Sequence, residues 1–299
     1  NTVQLLALSG LCYFIIFHKM GAHPIRLWDE SFFAVHSYEM LQKGSWFVSF
    51  FDGVPDFRGS KPPLQNWFQM FFISIFGMSE AAIRLPSALA ATGSVFLLFF
   101  FLKRETNKLQ AWLASLVLLT SFGFITFHSA RTGDSDSLLS LALLGQFISV
   151  YYMFKSDKPL KWIALFFVAL IVSFFTKAFA AGFFLFGFLL YALFFERAKF
   201  FGICKKWPVY VYFLSAATLI AGYFVMRENL QSGYIEYAFR VHAGRFSNVI
   251  GLHGNPWDFY LRNFLRERYT WWLALAMIGL VATIIWKTNQ DRLMRLTSV

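Results

Sequence analysis

The sequence predicts an all-α fold, a polytopic transmembrane helix bundle, and three observations support this prediction. Hydrophobic residues make up 58% of the 299 residues and charged residues only 14%, which is more apolar surface than a soluble domain of this size can bury. Aromatic residues contribute 21%, as expected of lipid-facing helices with aromatic belts at the membrane interfaces. The apolar residues also fall into about eight runs that approach the length of a membrane span.

Each predicted span is an apolar run of up to about 20 residues, and charged segments separate the runs. The first run is a little short for a full span, but it is the first candidate and is interpreted as a retained span. The eight predicted spans are residues 3–18, 83–102, 109–127, 138–154, 162–175, 179–195, 209–226 and 271–286. Two long polar loops, residues 19–63 and 227–270, interrupt the series.

The first polar loop is predicted to carry amphipathic helices that lie on the membrane surface. Residues 30–43 place apolar side chains at helical spacing, with Asp29 as the N-cap and Gly44 as the C-terminal stop. The apolar stretch Leu64–Phe76 follows a Pro-Pro pair, which suits a helix start, but it is short for a span. We therefore expect it to form a surface or re-entrant helix.

The formal net charge of +11 does not indicate a nucleic-acid-binding protein. The basic residues lie between apolar spans instead of along one face, and no nucleic-acid-binding motif is present. The short basic links all fall on one side if each predicted span crosses once, and that side is then the cytoplasm. The two long loops fall on the other side and also carry many Lys and Arg residues, which predicts an anionic ligand there.

If each predicted span crosses the membrane once, acids and bases that are far apart in sequence lie together at the outer face. Ionisable groups at the edge of a bilayer are costly, so their gathering at one depth predicts a site between helix ends. The residues in question are Asp29, Glu30, Lys61, Asp134, Asp136, Lys177, Arg245 and His253.

Several runs of the sequence resemble one known family. They are Trp-Asp-Glu-Ser at 28–31, Lys-Pro-Pro-Leu at 61–64, Ala-Arg-Thr-Gly-Asp-Ser-Asp at 130–136, Phe-Thr-Lys at 175–177 and Gly-Arg-Phe at 244–246. Together they resemble the polyprenyl-phosphate-sugar glycosyltransferases of the GT-C superfamily. This group contains bacterial lipid A aminoarabinose transferases and dolichyl-phosphate-mannose–protein mannosyltransferases. The resemblance covers nearly all of residues 1–299 and implies a single GT-C-type transmembrane domain. Because family members are longer, it also implies an N-terminal fragment of a longer enzyme.

The resemblance implies three catalytic acids. Asp29 matches the essential acid of the first outer loop, which takes the acceptor's proton or orients the acceptor. Asp136 matches a second important acid at the outer end of a span. Glu30, next to Asp29 in the chain, is a candidate partner acid for Asp29. The alternative for all three acids is structural, since carboxylates also cap helices or occupy first turns.

The resemblance also implies that Lys61 lies near the donor phosphate. Four more residues are candidates for the same phosphate site because of their charge and position: Arg131, Lys177, Arg245 and His253. An ammonium group suits a phosphate as a compact point charge, and a guanidinium binds it bidentately. The alternatives are lysines that snorkel to headgroups and an Arg131 that pairs with nearby acids. His253 is alternatively an acid/base, a metal ligand or a structural loop histidine. Some family members have a metal-site Glu immediately before this lysine, where this chain has Ser60, so a divalent metal stays open and no metal ligand is assigned.

The function implied by the resemblance is transfer of a sugar from undecaprenyl phosphate, or a related polyprenyl phosphate, to a lipid A, protein or glycan acceptor. The reaction would take place at the periplasmic face of the cytoplasmic membrane, and no nucleic acid would be involved. The absence of a Gly-rich nucleotide loop agrees with a lipid-borne donor. Two other classes stay open. A transporter or flippase would hold charges near the mid-membrane and show repeated halves, and a non-catalytic scaffold would tolerate Asp29→Asn.

Overall fold

Helices account for nearly all regular structure in the computed structural model, which describes residues 2–59, 61–126, 128–247, 256, 258–263 and 270–297. The all-α prediction is therefore confirmed. The helices are α1 Thr2–Cys12, α2 Asp29–Gln42, α3 Leu64–Phe76, α4 Glu80–Glu105, α5 Lys108–Thr120, α6 Phe122–Ile125, α7 Asp136–Lys155, α8 Pro159–Lys177, α9 Gly182–Phe195, α10 Arg197–Cys204, α11 Trp207–Leu230, α12 Tyr234–Ser247, α13 Phe259–Asn263 and α14 Thr270–Thr297. A short antiparallel hairpin, β1 Phe50–Phe51 and β2 Val54–Pro55, lies between α2 and α3.

Four helices are long and apolar enough to cross a membrane, judged by length and composition: α4, α7, α8 with the 3-10 turn that extends it to Ala181, and α11. Four further apolar segments are shorter, namely Thr2–Phe17, Lys108–Thr120, Phe184–Phe195 and Trp271–Ile285. These eight segments fall within or overlap the eight predicted spans. The predicted number of crossings depends on the four short ones and stays a prediction.

Two of the predicted spans are not continuous helices. The segment 109–127 breaks at Ser121, whose backbone is extended (φ −74°, ψ 116°) and separates α5 from the single turn α6. The segment 179–195 begins later than predicted because Ala178 has φ +43° and a 3-10 turn, Ala178–Ala181, precedes α9. The break at Ser121 is not visible in the hydropathy of the sequence, because no charged residue lies near it.

The spanning helices pack in a row in which α7 lies between α4 and α8, and α8 in turn packs against α11. Small residues of α4, such as Ala88 and Ala91, are fully buried in the core cluster that joins α4 to α1 and α5. Between helices in lipid, association relies on close van der Waals packing, so small side chains at the contact let the backbones approach. This row fixes which helix ends meet at each face of the bundle.

Buried polar side chains tie the first long loop to the row of helices. Ser37 of α2 donates to Gln69 Oε1 of α3 (2.7 Å), and Gln69 Nε2 donates to the carbonyls of Ile83 (3.0 Å) and Gly133 (2.9 Å). A Cβ on Gly133 would lie 2.6 Å from Ile83 Cγ2, so the close approach requires glycine. The network fixes the start of α2 next to the segment that leads into α7.

A second anchor of the first loop is the buried pair of His36 and Asp56, with His36 Nε2 3.0 Å from Asp56 Oδ2. Arg58 also donates from Nε to Asp56 Oδ1 (3.1 Å). Burial lowers the pKa of His36 below its ordinary value of 6.5, although Asp56 acts in the opposite direction. The folded state therefore favours the neutral imidazole.

This lowered pKa predicts that the fold loses stability in mild acid. A group whose pKa is lower in the folded state contributes stability above its unfolded pKa and loses it as the pH falls towards its folded pKa. The loss should begin below the ordinary value of 6.5. We expect the unfolding temperature of the wild type to fall between pH 7.5 and 5.5 more than that of His36→Asn. Equal slopes in the two proteins would show that His36 does not carry this pH dependence.

Candidate active site

The start of α2 differs from the prediction in a way that matters for Asp29. The helix begins at Asp29 itself, its N-cap is Trp28 (φ +75°), and no side chain makes a cap hydrogen bond there. The N-cap assignment of Asp29 is therefore wrong, because its side chain does not bond the first turn and instead lies near Lys61. Lys61 Nζ is 3.4 Å from Asp29 Oδ2. The predicted stop at Gly44 is confirmed by its φ of +63° after the C-cap Lys43.

A second acid–base pair forms where α7 begins and α8 ends. Asp136 is the first residue of α7 and Lys177 the last residue of α8, and their side chains form an ion pair. Both are partly exposed, and Asp136 makes no cap hydrogen bond. The antiparallel packing of α7 on α8 brings these two ends together.

His128, which the sequence analysis leaves unassigned, connects Asp29 to a third acid, Asp134. Its Nδ1 lies 3.4 Å from Asp134 Oδ2 and 3.9 Å from Asp29 Oδ2. Asp134 is only 5% exposed, in contrast to the half-exposed Asp29 and His128. His128 also interacts electrostatically with Asp136, and Asp29 interacts in the same way with Lys177. The structure thus brings three acids and three cations to one place, from segments far apart in the chain.

The charges in this cluster shift two pKa values in opposite directions. Burial alone would raise the pKa of Asp29, but Lys61, His128 and Lys177 outweigh it and hold the pKa below its ordinary value. The hydrogen bond to Asp134 raises the pKa of His128 above its ordinary value, and the negative charges of Asp29 and Asp136 add to this effect. At neutral pH Asp29 is ionised, and the surroundings of His128 favour the imidazolium.

Backbone strain is concentrated around this cluster. Among the described residues, five that are not glycine have a positive φ, and three of them adjoin the cluster: Trp28 (+75°), His128 (+56°) and Ala178 (+43°). Such conformations cost about 1–3 kcal/mol each and persist where the surrounding structure holds them. Their placement next to Asp29 and Lys177 supports a functional reading of the cluster.

Glu30 lies beside Asp29 in the chain but has different surroundings. Arg84 Nε donates to Glu30 Oε1 (2.7 Å), and the Glu30 and Arg84 side chains are 1% and 3% exposed. Glu30 also accepts from the backbone N–H groups of Gly133 and Arg26 (2.8 Å each). Both carboxylate oxygens are therefore occupied, and Glu30 connects α2 to α4 and to the segment before α7.

Arg131, the other predicted phosphate contact whose side chain the structure describes, is not part of the acid–base pairs. Arg131 donates from Nη1 to the Ile15 carbonyl (2.7 Å) and from Nη2 to the His18 carbonyl (2.9 Å), and so holds the end of the first helical segment. Arg245 lies in α12, but its side chain is outside the described part of the structure. His253 and Ser60 lie outside the described residues altogether.

Two apolar cavities open on either side of α3, just beyond Lys61. The larger, about 790 Å³, lies between α3, α4 and α7, and its lining is almost wholly apolar. The second, about 580 Å³, lies between α3, α8 and α11. Both are bordered by Leu64 and Trp67. Hydrocarbon chains suit cavities of this composition, so a lipid in either one can place a charged headgroup near the cluster.

Part of the cluster also has the geometry of a divalent metal site. Asp29, His128 and Asp134 each offer a ligand atom, and these atoms lie within 4.8 Å of one another. Asp134 Oδ1 is buried and has no hydrogen-bond partner, so its surroundings leave room for a further interaction. Two carboxylates and an imidazole suit first-row divalent metals, and the residues present therefore fit a metal ion.

A family model described as dolichyl-phosphate-mannose-protein mannosyltransferase matches residues 60–223. An undecaprenyl phosphate-alpha-4-amino-4-deoxy-L-arabinose arabinosyl transferase from Aeromonas salmonicida is 28% identical over 290 residues, which cover 94% of this chain and 50% of the relative. A protein of the same name from Shewanella sediminis is 28% identical over 156 residues, covering 52% and 28%. The chain therefore spans half or less of the length of these relatives.

The fold is also found among solved structures. The crystal structure of ArnT from Cupriavidus metallidurans bound to undecaprenyl phosphate superposes with a TM-score of 0.70 at 17% identity, covering 83% of this chain and 46% of that chain. The same protein in the apo state gives the same TM-score at 16% identity. This likeness confirms the GT-C-type architecture that the sequence resemblance implied.

Proposed function

Because the chain belongs to the dolichyl-phosphate-mannose-protein mannosyltransferase family, we propose that it acts as a membrane glycosyltransferase that takes its sugar from a polyprenyl phosphate. The observation that carries this proposal is the ionised Asp29 held 3.4 Å from Lys61, next to the Lys177 end of α8. A carboxylate beside two ammonium groups provides both a proton acceptor and a phosphate site, which sugar transfer from a lipid phosphate requires.

The donor phosphate is proposed to lie between Lys61 and Lys177. Each ammonium has a carboxylate partner in the absence of ligand, Asp29 for Lys61 and Asp136 for Lys177, and each can turn towards a phosphate while keeping that partner. Asp136 then acts through Lys177 by holding its ammonium group at the site. Relatives of this chain are named for undecaprenyl phosphate as the sugar carrier. The apolar cavities next to Lys61 offer a place for the hydrocarbon chain of such a lipid.

The proposed reaction is a single displacement at the anomeric carbon. An acceptor oxygen attacks this carbon from the face opposite the phosphate, and its bond to the carbon forms as the carbon–oxygen bond to the phosphate breaks. The electron pair of that bond leaves with the polyprenyl phosphate, whose charge Lys61, Lys177 and the imidazolium of His128 stabilise. The acceptor's proton goes to Asp29, which its lowered pKa keeps ionised.

The remaining predicted residues take different parts in this proposal. Glu30 and Arg131 act as positioning residues, because their polar atoms already bind Arg84 and backbone carbonyls. Arg245 and His253 stay predicted phosphate contacts. If a divalent metal binds, Asp29, His128 and Asp134 would hold it, and it would supply further positive charge near the leaving phosphate.

The location and acceptor are proposed from the arrangement of the helix ends. The positive-inside rule places the short basic links in the cytoplasm, so the cluster would face the periplasm across the inner membrane of a bacterium. Two separate apolar cavities border α3, one more than a donor chain needs. This favours a lipid acceptor, such as lipid A, over a protein.

The experiment that tests the proposal uses the full-length protein in lipid nanodiscs with polyprenyl-phosphate sugars and a panel of lipid, peptide and glycan acceptors. Mass spectrometry should detect a glycosylated acceptor and an equimolar amount of free polyprenyl phosphate. The same protein in liposomes tests the transporter class. Translocation of the intact donor without any transfer would contradict the proposal, as would no consumption of any donor.

A further inference from the structure

Arg227, near the outer end of α11, is a buried cation that has no counter-charge among the residues described by the structure. Its side chain is among the largest fully buried ones, with 1% exposure. Nε, Nη1 and Nη2 all lack a hydrogen-bond partner, and no acid forms an ion pair with Arg227 among the residues that the structure describes. An unpaired charge in such surroundings costs several kcal/mol, so the protein is less stable than it would be with an apolar residue there.

The immediate neighbours of Arg227 offset only part of this cost. The hydroxyl of Tyr223 lies close enough to interact with the guanidinium. The ring of Tyr234 lies 4.1 Å from the Arg227 Cζ atom and covers one face of the guanidinium. The adjacent Glu228 is used elsewhere, since its oxygens accept from the backbone N–H groups of Gly233 (2.7 Å) and Ile235 (2.8 Å). Because a cation–π contact uses the face of the group, the N–H bonds in the guanidinium plane stay available to a ligand.

A second unsatisfied group lies one helical turn further on. Gln231 is 9% exposed, and its Oε1 is buried without a partner. Nearly all buried polar atoms in native proteins are paired, so adjacent exceptions call for an explanation. The guanidinium offers donors and the amide oxygen offers an acceptor. A phosphate ester that also carries hydroxyl groups would satisfy both.

The position of Arg227 connects it to the second apolar cavity. Tyr223 and Met226 of α11 line this cavity, opposite Leu64 and Trp67 of α3. Phe175, close to Lys177 in the chain, also lines it and packs against the Tyr223 ring at 5.4 Å. Arg227 directly follows Met226 in α11, so it lies next to this cavity without lining it, at the end of the bundle where the acid–base cluster is found.

We propose that Arg227 and Gln231 form a second anion site, distinct from the lysine pair, which binds the phosphate ester of a lipid whose hydrocarbon chain occupies the α3–α8–α11 cavity. The assignment deepens the proposed function and rests on it for the identity of the lipid. The guanidinium binds the phosphate oxygens in its plane, and the Gln231 oxygen accepts from a hydroxyl of the headgroup. The stability lost in the ligand-free protein is the sign of a residue kept for binding.

The test compares thermal unfolding of the wild type with that of Arg227→Met, with and without ligand. Without ligand, the variant should unfold at a temperature a few degrees higher, because an apolar chain of similar length replaces an unpaired buried charge. With saturating polyprenyl phosphate, the wild type should gain a few degrees and the variant less, because the variant keeps only the lysine-pair site. In a Lys61→Ala background, the same ligand should still stabilise the protein with Arg227 and should have little effect on Arg227→Met. Phosphatidylglycerol and inorganic phosphate, run separately, show whether the phosphate comes from a polyprenyl lipid, a bilayer headgroup or solution.

The matched control is Arg240→Met on α12, since Arg240 is 74% exposed and pairs with Glu236 on the surface. It should leave both measurements unchanged. Arg227→Lys keeps the charge but loses the bidentate geometry, and should retain only part of the ligand response. Lys61→Ala separates this proposal from the proposed function, because it removes the donor site and leaves any Arg227-dependent response intact. An Arg227→Met variant that unfolds at a lower temperature, or responds to every phosphate like the wild type, would overturn the assignment.

Discussion

Replacing Asp29 with Asn should lower the rate of sugar transfer about 10²–10⁴-fold, the range typical of a lost general base. The amide keeps the size and shape of the carboxylate but cannot accept a proton. Because Lys61 and Lys177 hold the phosphate in our proposal, the affinity for polyprenyl phosphate should change by no more than a few-fold. Initial rates of transfer and a separate binding measurement on the full-length protein check both expectations.

The matched control for this prediction is Asp52→Asn in the turn of the β1–β2 hairpin. Asp52 is exposed and has φ +54°, a conformation that Asn tolerates as well as Asp. The control should transfer sugar at the wild-type rate. If Asp29→Asn keeps a third or more of the wild-type rate, Asp29 does not take the proton and the proposed mechanism fails.

Replacing Glu30 with Gln should have the largest effect on stability, about 3–5 kcal/mol less free energy of unfolding. The change leaves the Arg84 guanidinium buried without its counter-charge and weakens the bond from the Gly133 N–H group (2.8 Å). Denaturation in mild detergent measures the loss. The surface pair Glu236–Arg240, with both side chains more than 70% exposed, offers the control Glu236→Gln, for which a change within about 0.5 kcal/mol is expected.

This measurement also decides between two roles for Glu30. The sequence predicts a catalytic acid beside Asp29, whereas the contacts favour a positioning residue. A positioning residue should lose stability and activity together, and low temperature should restore part of the rate. A Glu30→Gln variant as stable as the wild type yet inactive would support the catalytic role.

The convergence of distant acids and bases was the part of the site that the sequence could predict. Counting the predicted spans places Asp29, Asp136 and Lys177 at one membrane face, because the chain changes sides with each span. Partners within that face were not predictable. Glu30 pairs with Arg84 across 54 positions, and Arg131 binds the Ile15 carbonyl across 116. Only the packing of the helices decides which of several equivalent cations an acid meets.

Backbone geometry explains the other differences. Asp before a helical pattern is a good N-cap signal, but the positive φ of Trp28 moves the cap back by one residue and frees the Asp29 side chain. His128 lies just ahead of the acidic run at 130–136, and its proximity to Asp29 depends on a φ of +56° that no sequence pattern shows. The cavities beside α3 likewise arise from the spacing of α4, α7, α8 and α11.

The central claim is that Lys61 and Lys177, which precede α3 and end α8, bind the same phosphate. A double-mutant cycle on polyprenyl phosphate affinity tests this most directly. Each single Lys→Ala change should weaken binding about tenfold or more, as expected for a lost hydrogen bond to a charged group. If both ammonium groups hold one phosphate, the double variant should depart from the sum of the two losses by at least about 0.5 kcal/mol. Losses that add to within about 0.3 kcal/mol, or single variants that bind like the wild type, would contradict the account.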